Sequence, residues 1–137
     1  MSSIRGIRNN NPFNIRKGNT WLGERPNQKD PAFEEFESIE YGIRAGLKLM
    51  RNHISGFNGS RPKCQTLYKL IYRWAPPIEN DTEAYLKTVC KLTGYSPFQL
   101  LRPEDGKTLR AIGWAMVQVE CGVELPIEKF ETAWAML

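Results

Sequence analysis

From residue 38 onward the apolar positions recur at helical spacing. Ile39, Ile43, Leu47, Met50 and Ile54 fall on one stripe, with Arg44, Lys48 and Arg51 away from it, which predicts an amphipathic helix. Ser38 is its expected N-cap, and Gly56 and Gly59 its stop. The run Leu67-Tyr68-Lys69-Leu70-Ile71-Tyr72 predicts a short second helix, closed before Pro76-Pro77. Asn80 is expected to cap a third, with Glu83 in the capping-box position, an apolar face of Tyr85, Leu86, Val89 and Leu92, and Gly94 as terminator. Ser96-Pro97 reads as the N-cap and first residue of a short helix. Leu109, Ile112, Met116 and Val119 line a further helix over 107–121, with Gly122 just past its end. Pro126 opens a last helix containing Phe130, Trp134 and Met136.

The first 37 residues lack this periodicity. Residues 5–16, Arg5-Gly6-Ile7-Arg8-Asn9-Asn10-Asn11-Pro12-Phe13-Asn14-Ile15-Arg16, carry three arginines and four asparagines. Asparagines before a proline favour turns and offer many donors and acceptors. The stretch reads either as a polar loop leading into a hairpin or as a polar wall for a ligand rich in hydroxyls and amides. Phe13-Asn14-Ile15-Arg16 is expected to pair with Thr20-Trp21-Leu22 across Lys17-Gly18-Asn19, and residues 32–36 to form a third strand. The expected fold class is mainly α (α+β), one domain over 1–137 with a β-rich lobe at 1–37 and a helical lobe at 38–137.

The 137 residues suffice for one domain with a real core. No apolar run approaches the roughly 20 residues of a membrane span, and no apolar leader segment opens the chain. The expectation is synthesis in a reducing cytosol without a signal peptide, which leaves the final location open, since a protein released by lysis to the periplasm and cell wall or packaged in a virus particle needs none. The net charge of +4 suits an anionic partner such as cell wall or nucleic acid, and equally suits solubility alone. Cys64, Cys90 and Cys121 form no C-x-x-C pair and His53 is the sole histidine; no metal site and no cofactor are expected, and the thiols should be reduced and partly buried. Glycine-rich phosphate loops and the nucleophile-elbow motif are absent, and nothing local supports a cysteine nucleophile paired with His53.

Carboxylates remain. Glu40, at the second position of its helix, meets the positive end of the helix dipole, which stabilises its charge. Glu120 ends the apolar run Ala111-Ile112-Gly113-Trp114-Ala115-Met116-Val117-Gln118-Val119. There the dipole opposes negative charge and apolar neighbours disfavour ionisation, so its pKa should rise. A carboxylic acid kept protonated in apolar surroundings is what acid-assisted glycosidic cleavage requires; a helix-terminal glutamate reaching solvent is the plain alternative.

Two resemblances bear on these residues. The 5–16 motif, with Trp21, Gly23, Phe33, Phe36, Tyr41-Gly42-Ile43-Arg44-Ala45 and the segment Arg73-Trp74-Ala75-Pro76-Pro77-Ile78-Glu79-Asn80-Asp81-Thr82-Glu83-Ala84-Tyr85, resembles small tailed-phage and prophage proteins labelled virion or structural proteins. Phe13 stands where that family usually has glycine. Asn11-Pro12-Phe13-Asn14-Ile15-Arg16 is also similar to the Asn-Leu-Phe-Gly-Ile-Lys segment of bacterial glucosaminidases of the lysozyme-like superfamily, and the Trp74-Ala75-Pro76 to Tyr85 segment resembles a later aromatic cleft motif of that superfamily. Glu120-Cys121-Gly122 matches the family's helix-end glutamate pattern but comes late in the chain. A circularly permuted lysozyme-like domain accounts for that order.

These resemblances imply a peptidoglycan-cleaving glycosidase or lytic transglycosylase, with Glu120 as acid, Asn10, Asn11 and Asn14 on the sugar N-acetyl or peptide groups, and Trp74 and Tyr85 offering aromatic faces to the glycan. Core packing is the alternative for the two aromatics. Glu79 and Asp81 are the candidates for a second carboxylate, and Asp81 equally suits a helix cap. The competing function is a non-catalytic virion protein of the same fold that binds cell wall or other phage proteins. Nucleic-acid binding through Arg5, Arg8, Arg16, Lys17 and the basic face of the first long helix ranks below both, because acidic residues across 34–40 interrupt the basic stripe.

Overall fold

The computed structural model describes residues 2–137 and is mainly helical. Six helices follow in order: α1 Ser2–Arg8, α2 Ile39–Gly59, α3 Leu67–Trp74, α4 Thr82–Thr93, α5 Gly106–Cys121 and α6 Ile127–Ala135. Helix α5 is the hub and packs against α1, α2, α4 and α6. Its buried face, from Thr108 through Leu109, Ile112, Ala115, Met116 and Val117 to Cys121, is wider than one stripe, as a helix surrounded by others requires. On α2 the predicted stripe is inward, with Ile43, Leu47, Met50 and Ile54 all buried. Arg44 departs from its expected place on the polar face. It is buried, and its Nε donates to the Met136 carbonyl at 3.2 Å, tying α2 to the end of α6.

Most helix ends follow from local chemistry. Ser38, Thr66 and Asp105 accept bonds from main-chain N–H groups of the first turns of α2, α3 and α5, satisfying donors that a helix start leaves free. Gly94 and Gly122 close α4 and α5 in the left-handed conformation. Asp81, not Asn80, caps α4, accepting from the Ala84 N–H at 3.1 Å; the Asn80 amide instead donates back to the Pro76 carbonyl. Ser96-Pro97 starts no helix. The Ser96 hydroxyl accepts from the Phe98 N–H at 3.0 Å in a turn at 97–98, and residues 99–101 are then held against the start of α3 by bonds such as Leu67 N–H to Gln99 O.

The N-terminal region differs most from expectation. Ser2–Arg8 is helical, and no hairpin joins 13–16 to 20–22. Arg16 instead bridges Phe33, and Glu24 bridges Phe36, both antiparallel and both isolated. The Glu24 carboxylate accepts from the Trp21 N–H at 2.7 Å, turning the chain there, so residues 15–17 are left to pair with 32–34 through Glu34 N–H to Ile15 O and Lys17 N–H to Ala32 O. The region is a looped lobe pinned by side chains. Asp30 is its acidic knot: buried, it is paired with Arg5 and accepts from the Asn9 amide and the Ala32 and Phe33 N–H groups. The Arg5 pairing holds its carboxyl well below the usual carboxylate range.

Glycines seat this lobe on α2. A Cβ on Gly42 would lie 1.8 Å from the Asn10 carbonyl oxygen, and one on Gly46 2.1 Å from the Phe13 ring. One turn apart on the same face, the two glycines let the backbone of 10–13 lie directly on the helix. Phe13, 1% exposed, fills the slot between Gly46 and α5 and meets Trp74 edge-on at 5.7 Å. The asparagines are the fasteners. Asn10 and Asn14 hold φ of 52°, a conformation asparagine tolerates better than other non-glycine residues.

Asn11 is fully buried. Its amide nitrogen donates to the Ile15 and Glu34 carbonyls at 2.9 and 3.0 Å, and its oxygen accepts from the Ile15 N–H at 3.0 Å. Asn11→Ala strands these groups and is expected to lower stability by roughly 3 kcal/mol, since each buried unpaired polar group costs about 1–3 kcal/mol. Urea unfolding measures this; a loss below about 1 kcal/mol would show that water replaces the amide without difficulty.

Candidate functional site

The lobe sits over the C-terminal end of α5. The last carbonyls of a helix have no partner within it, and Asn14 supplies one: its amide donates to the Glu120 main-chain carbonyl at 3.2 Å and to Glu120 Oε1 at 3.1 Å. Nearby, the Cys121 thiol donates to the Pro12 carbonyl at 3.1 Å. From the other side the Tyr85 hydroxyl on α4 donates to Glu120 Oε2 at 2.9 Å. Both carboxyl oxygens are thus held, and the side chain has one orientation.

That carboxyl lines a cleft of about 450 Å³ between the lobe and α3. Asn14, Trp21, Phe33, His53 and Trp74 share its wall with Glu120, and Arg16, Arg73 and Glu79 also border it. Burial raises the Glu120 pKa above the ordinary carboxylate value; the hydrogen bonds from Asn14 and Tyr85, with Trp74 acting in the same direction, offset only part of it. Burial and then the Glu120 charge raise the Tyr85 pKa, so Tyr85 is a neutral donor. The same two causes push the Cys121 thiol up to about 12. Glu40 shows the reverse, as its helix position implies: its own main-chain N–H, then Lys129, lower its pKa.

The expected site residues therefore separate. Asn14, Trp74 and Glu120 meet on one cleft, although Asn14 and Glu120 are more than a hundred positions apart. Tyr85 lies behind the carboxyl and is 6% exposed, with no ring face for a ligand. Asn10 and Asn11 are not cleft residues. The Asn10 amide donates to the Phe36 carbonyl at 3.1 Å and Asn11 is saturated inside the lobe. Asp81 is the cap of α4.

Trp21, Phe33 and His53 line the cleft as well, although the sequence pointed to none of them as a site residue. Two are aromatics within polar loops and the third is the sole histidine, but only the closure of the lobe on α3 turns them to one side. Burial, with Arg73 and Arg61 close by, pushes His53 down to about 4, so it is neutral near pH 7 and packs edge-on to Trp74 at 6.0 Å. Cys64 is no activated nucleophile, because burial raises its pKa. Among the described residues no group of three or more His, Cys, Asp or Glu could hold a metal ion, and no helix is long and apolar enough to cross a membrane.

A mainly helical domain with a half-buried, doubly hydrogen-bonded carboxyl on an aromatic cleft is the class of protein this fold defines. No protein-family model matches the chain. It is 39% identical over 124 residues to Protein P5 of Pseudoalteromonas phage PM2, across 88% of this chain and 72% of that protein. The chain belongs to the family of this phage protein.

Because the Glu120 pKa is raised on folding from about 4.5, the folded state is favoured by its protonation. That contribution is fully present below pH 4.5 and is lost as pH rises through the folded pKa. Glu120→Gln, which carries no charge to bury, is expected to melt above the wild type at pH 8, with the gap closing below pH 4.5. Thermal melts at the two pH values test this, and a variant that melts lower at pH 8 would refute it. Tyr85→Phe removes a donor to the carboxylate and should move the Glu120 titration further upward, as followed by carbon NMR of the glutamate carboxyls.

Proposed function

We propose that this chain is a phage virion protein that cleaves the glycan strands of peptidoglycan, with Glu120 as general acid. The observation that carries the reading is the Glu120 carboxyl itself: pKa raised by burial, orientation set by Asn14 and Tyr85, and open to a cleft walled by Trp21, Phe33 and Trp74. A carboxyl whose pKa is raised by burial suits proton transfer to a glycosidic oxygen. The half-buried Trp74, expected from the sequence, offers an aromatic face to the apolar face of a sugar ring, whereas the Phe33 ring carries Arg5 and Arg16. In this reading the fold is a circularly permuted lysozyme-like domain, with the looped lobe first and the glutamate helix near the end.

The chemistry proposed needs one protein carboxyl. Glu120 protonates the leaving oxygen as the bond to C1 breaks. The same carboxylate then takes the proton of the sugar's own C6 hydroxyl as that oxygen closes on C1, which is lytic transglycosylation. Assistance by the substrate's N-acetyl oxygen is the related route. Glu79 also borders the cleft and is the residue a two-carboxylate hydrolysis would require. The protein would act while attached to the virus particle or after release at the cell wall.

The second reading is a virion protein of the same fold that binds cell wall or other phage proteins without cleaving. Membership of the Protein P5 family supports it, as does the internal bonding of Asn10 and Asn11, which withdraws two of the three expected sugar contacts. A turbidity or zymogram assay on purified peptidoglycan separates the two. Catalysis predicts activity in the wild type, a loss of at least about 100-fold in Glu120→Gln, and retained sedimentation of that variant with sacculi. Activity equal to wild type in Glu120→Gln removes Glu120 from the mechanism. An inactive wild type that still sediments with sacculi supports the binding protein.

A further inference from the structure

The same cleft carries cationic groups that acid catalysis does not use. Arg16 borders it from the lobe, with its guanidinium over the Phe33 ring at 5.0 Å, and Arg73 borders it from α3. Both residues are exposed. Neither takes part in the ion pairs found among the described residues, whereas Arg5, whose guanidinium also lies over the Phe33 ring at 4.5 Å, is neutralised by Asp30, and Arg25 by Glu35. Against them the cleft sets Glu79 and the half-buried Glu120, whose charge is disfavoured. His53 contributes no charge near neutral pH. Stacking on Phe33 restricts Arg16, so less rotamer freedom is lost when it pairs with a ligand. Planar guanidinium groups match carboxylates by paired N–H donors.

We infer that Arg16 and Arg73 make this cleft selective for carboxylate-bearing amino-sugar strands over neutral ones of the same backbone. The inference rests on the glycan reading above and adds the class of strand. The carboxylate has two sources in cell wall: the peptide stems, or the lactyl ether of muramic acid once its stem is removed.

Calorimetric binding in the Glu120→Gln background, where no bond is cut, tests it with three soluble probes. These are peptide-bearing glycan strands, the same strands after amidase treatment, and a neutral N-acetylglucosamine oligomer of matched length. At least one carboxylated probe should bind five or more times tighter than the neutral one. Arg16→Gln and Arg73→Gln should each reduce that preference by about fivefold or less, the range for an exposed charge pair, Arg73→Lys should retain part of it, and 0.5 M salt should diminish it. A preference for untreated strands assigns the stems as the source, and a preference for treated ones the lactyl group. Equal affinity for neutral and carboxylated probes overturns the inference alone, as does a preference unchanged in both glutamine variants. Failure to bind any of the three overturns the glycan reading together with it.

Discussion

The contact on which the rest depends is the seating of residues 10–13 on the bare face of α2. Gly42 and Gly46 leave no side chain there, so the Asn10 carbonyl and the Phe13 ring approach the helix at distances a methyl group would forbid. Phe13 then fills the space between α2 and α5, and Asn14, the next residue, falls on the C-terminal end of α5 beside Glu120. Core packing and site geometry are thus linked by consecutive residues. A shift of the loop along α2 would move the Asn14 amide off both Glu120 oxygens at once.

Site chemistry arises from a conflict left partly unresolved. Burial disfavours the Glu120 charge, while Asn14 and Tyr85 favour it. The balance keeps the pKa raised without leaving the carboxyl unbonded, and it fixes which way the group faces. The folded state bears a cost for the charged form of this group, because its pKa is raised by burial. Two carboxylates of the lobe are fully met: Asp30 by Arg5 and by main-chain donors, and Glu35 by Arg25 and the N–H groups of Lys29 and Asp30. Glu34 is the exception in the lobe: burial and the neighbouring Glu24 push its pKa up to about 7, and one of its oxygens is buried without a partner.

Much of the helical part was legible because its signals are local. The stripe on α2, the glycine stops of α4 and α5 and the serine cap of α2 depend on residues within four positions of one another. Where two local signals competed, neighbouring structure chose: Asp81 capped α4 because the Asn80 amide turned back to Pro76. Ser96 formed a turn because the following residues bond to the start of α3. The expected hairpin failed for a similar reason, since Glu24 captured the Trp21 N–H and freed residues 15–17 to pair with 32–34.

By itself, the sequence determined where the helices of residues 38–137 run, apart from the short one expected at Ser96-Pro97, and it marked Glu120 as a carboxyl with reason to stay protonated. Both follow from spacing and from position relative to a helix end, quantities that do not require the rest of the chain. Only the tertiary structure decided what each asparagine does. An amide donates to whatever carbonyl the closed chain brings near, so Asn11 became a buried fastener, Asn10 a tie to Phe36, and Asn14 the one that reaches the carboxyl. Tyr85 moved from expected ligand surface to buried support on the same principle, and Arg16, Trp21, Phe33, His53 and Arg73 became a common wall only when the lobe closed against α3.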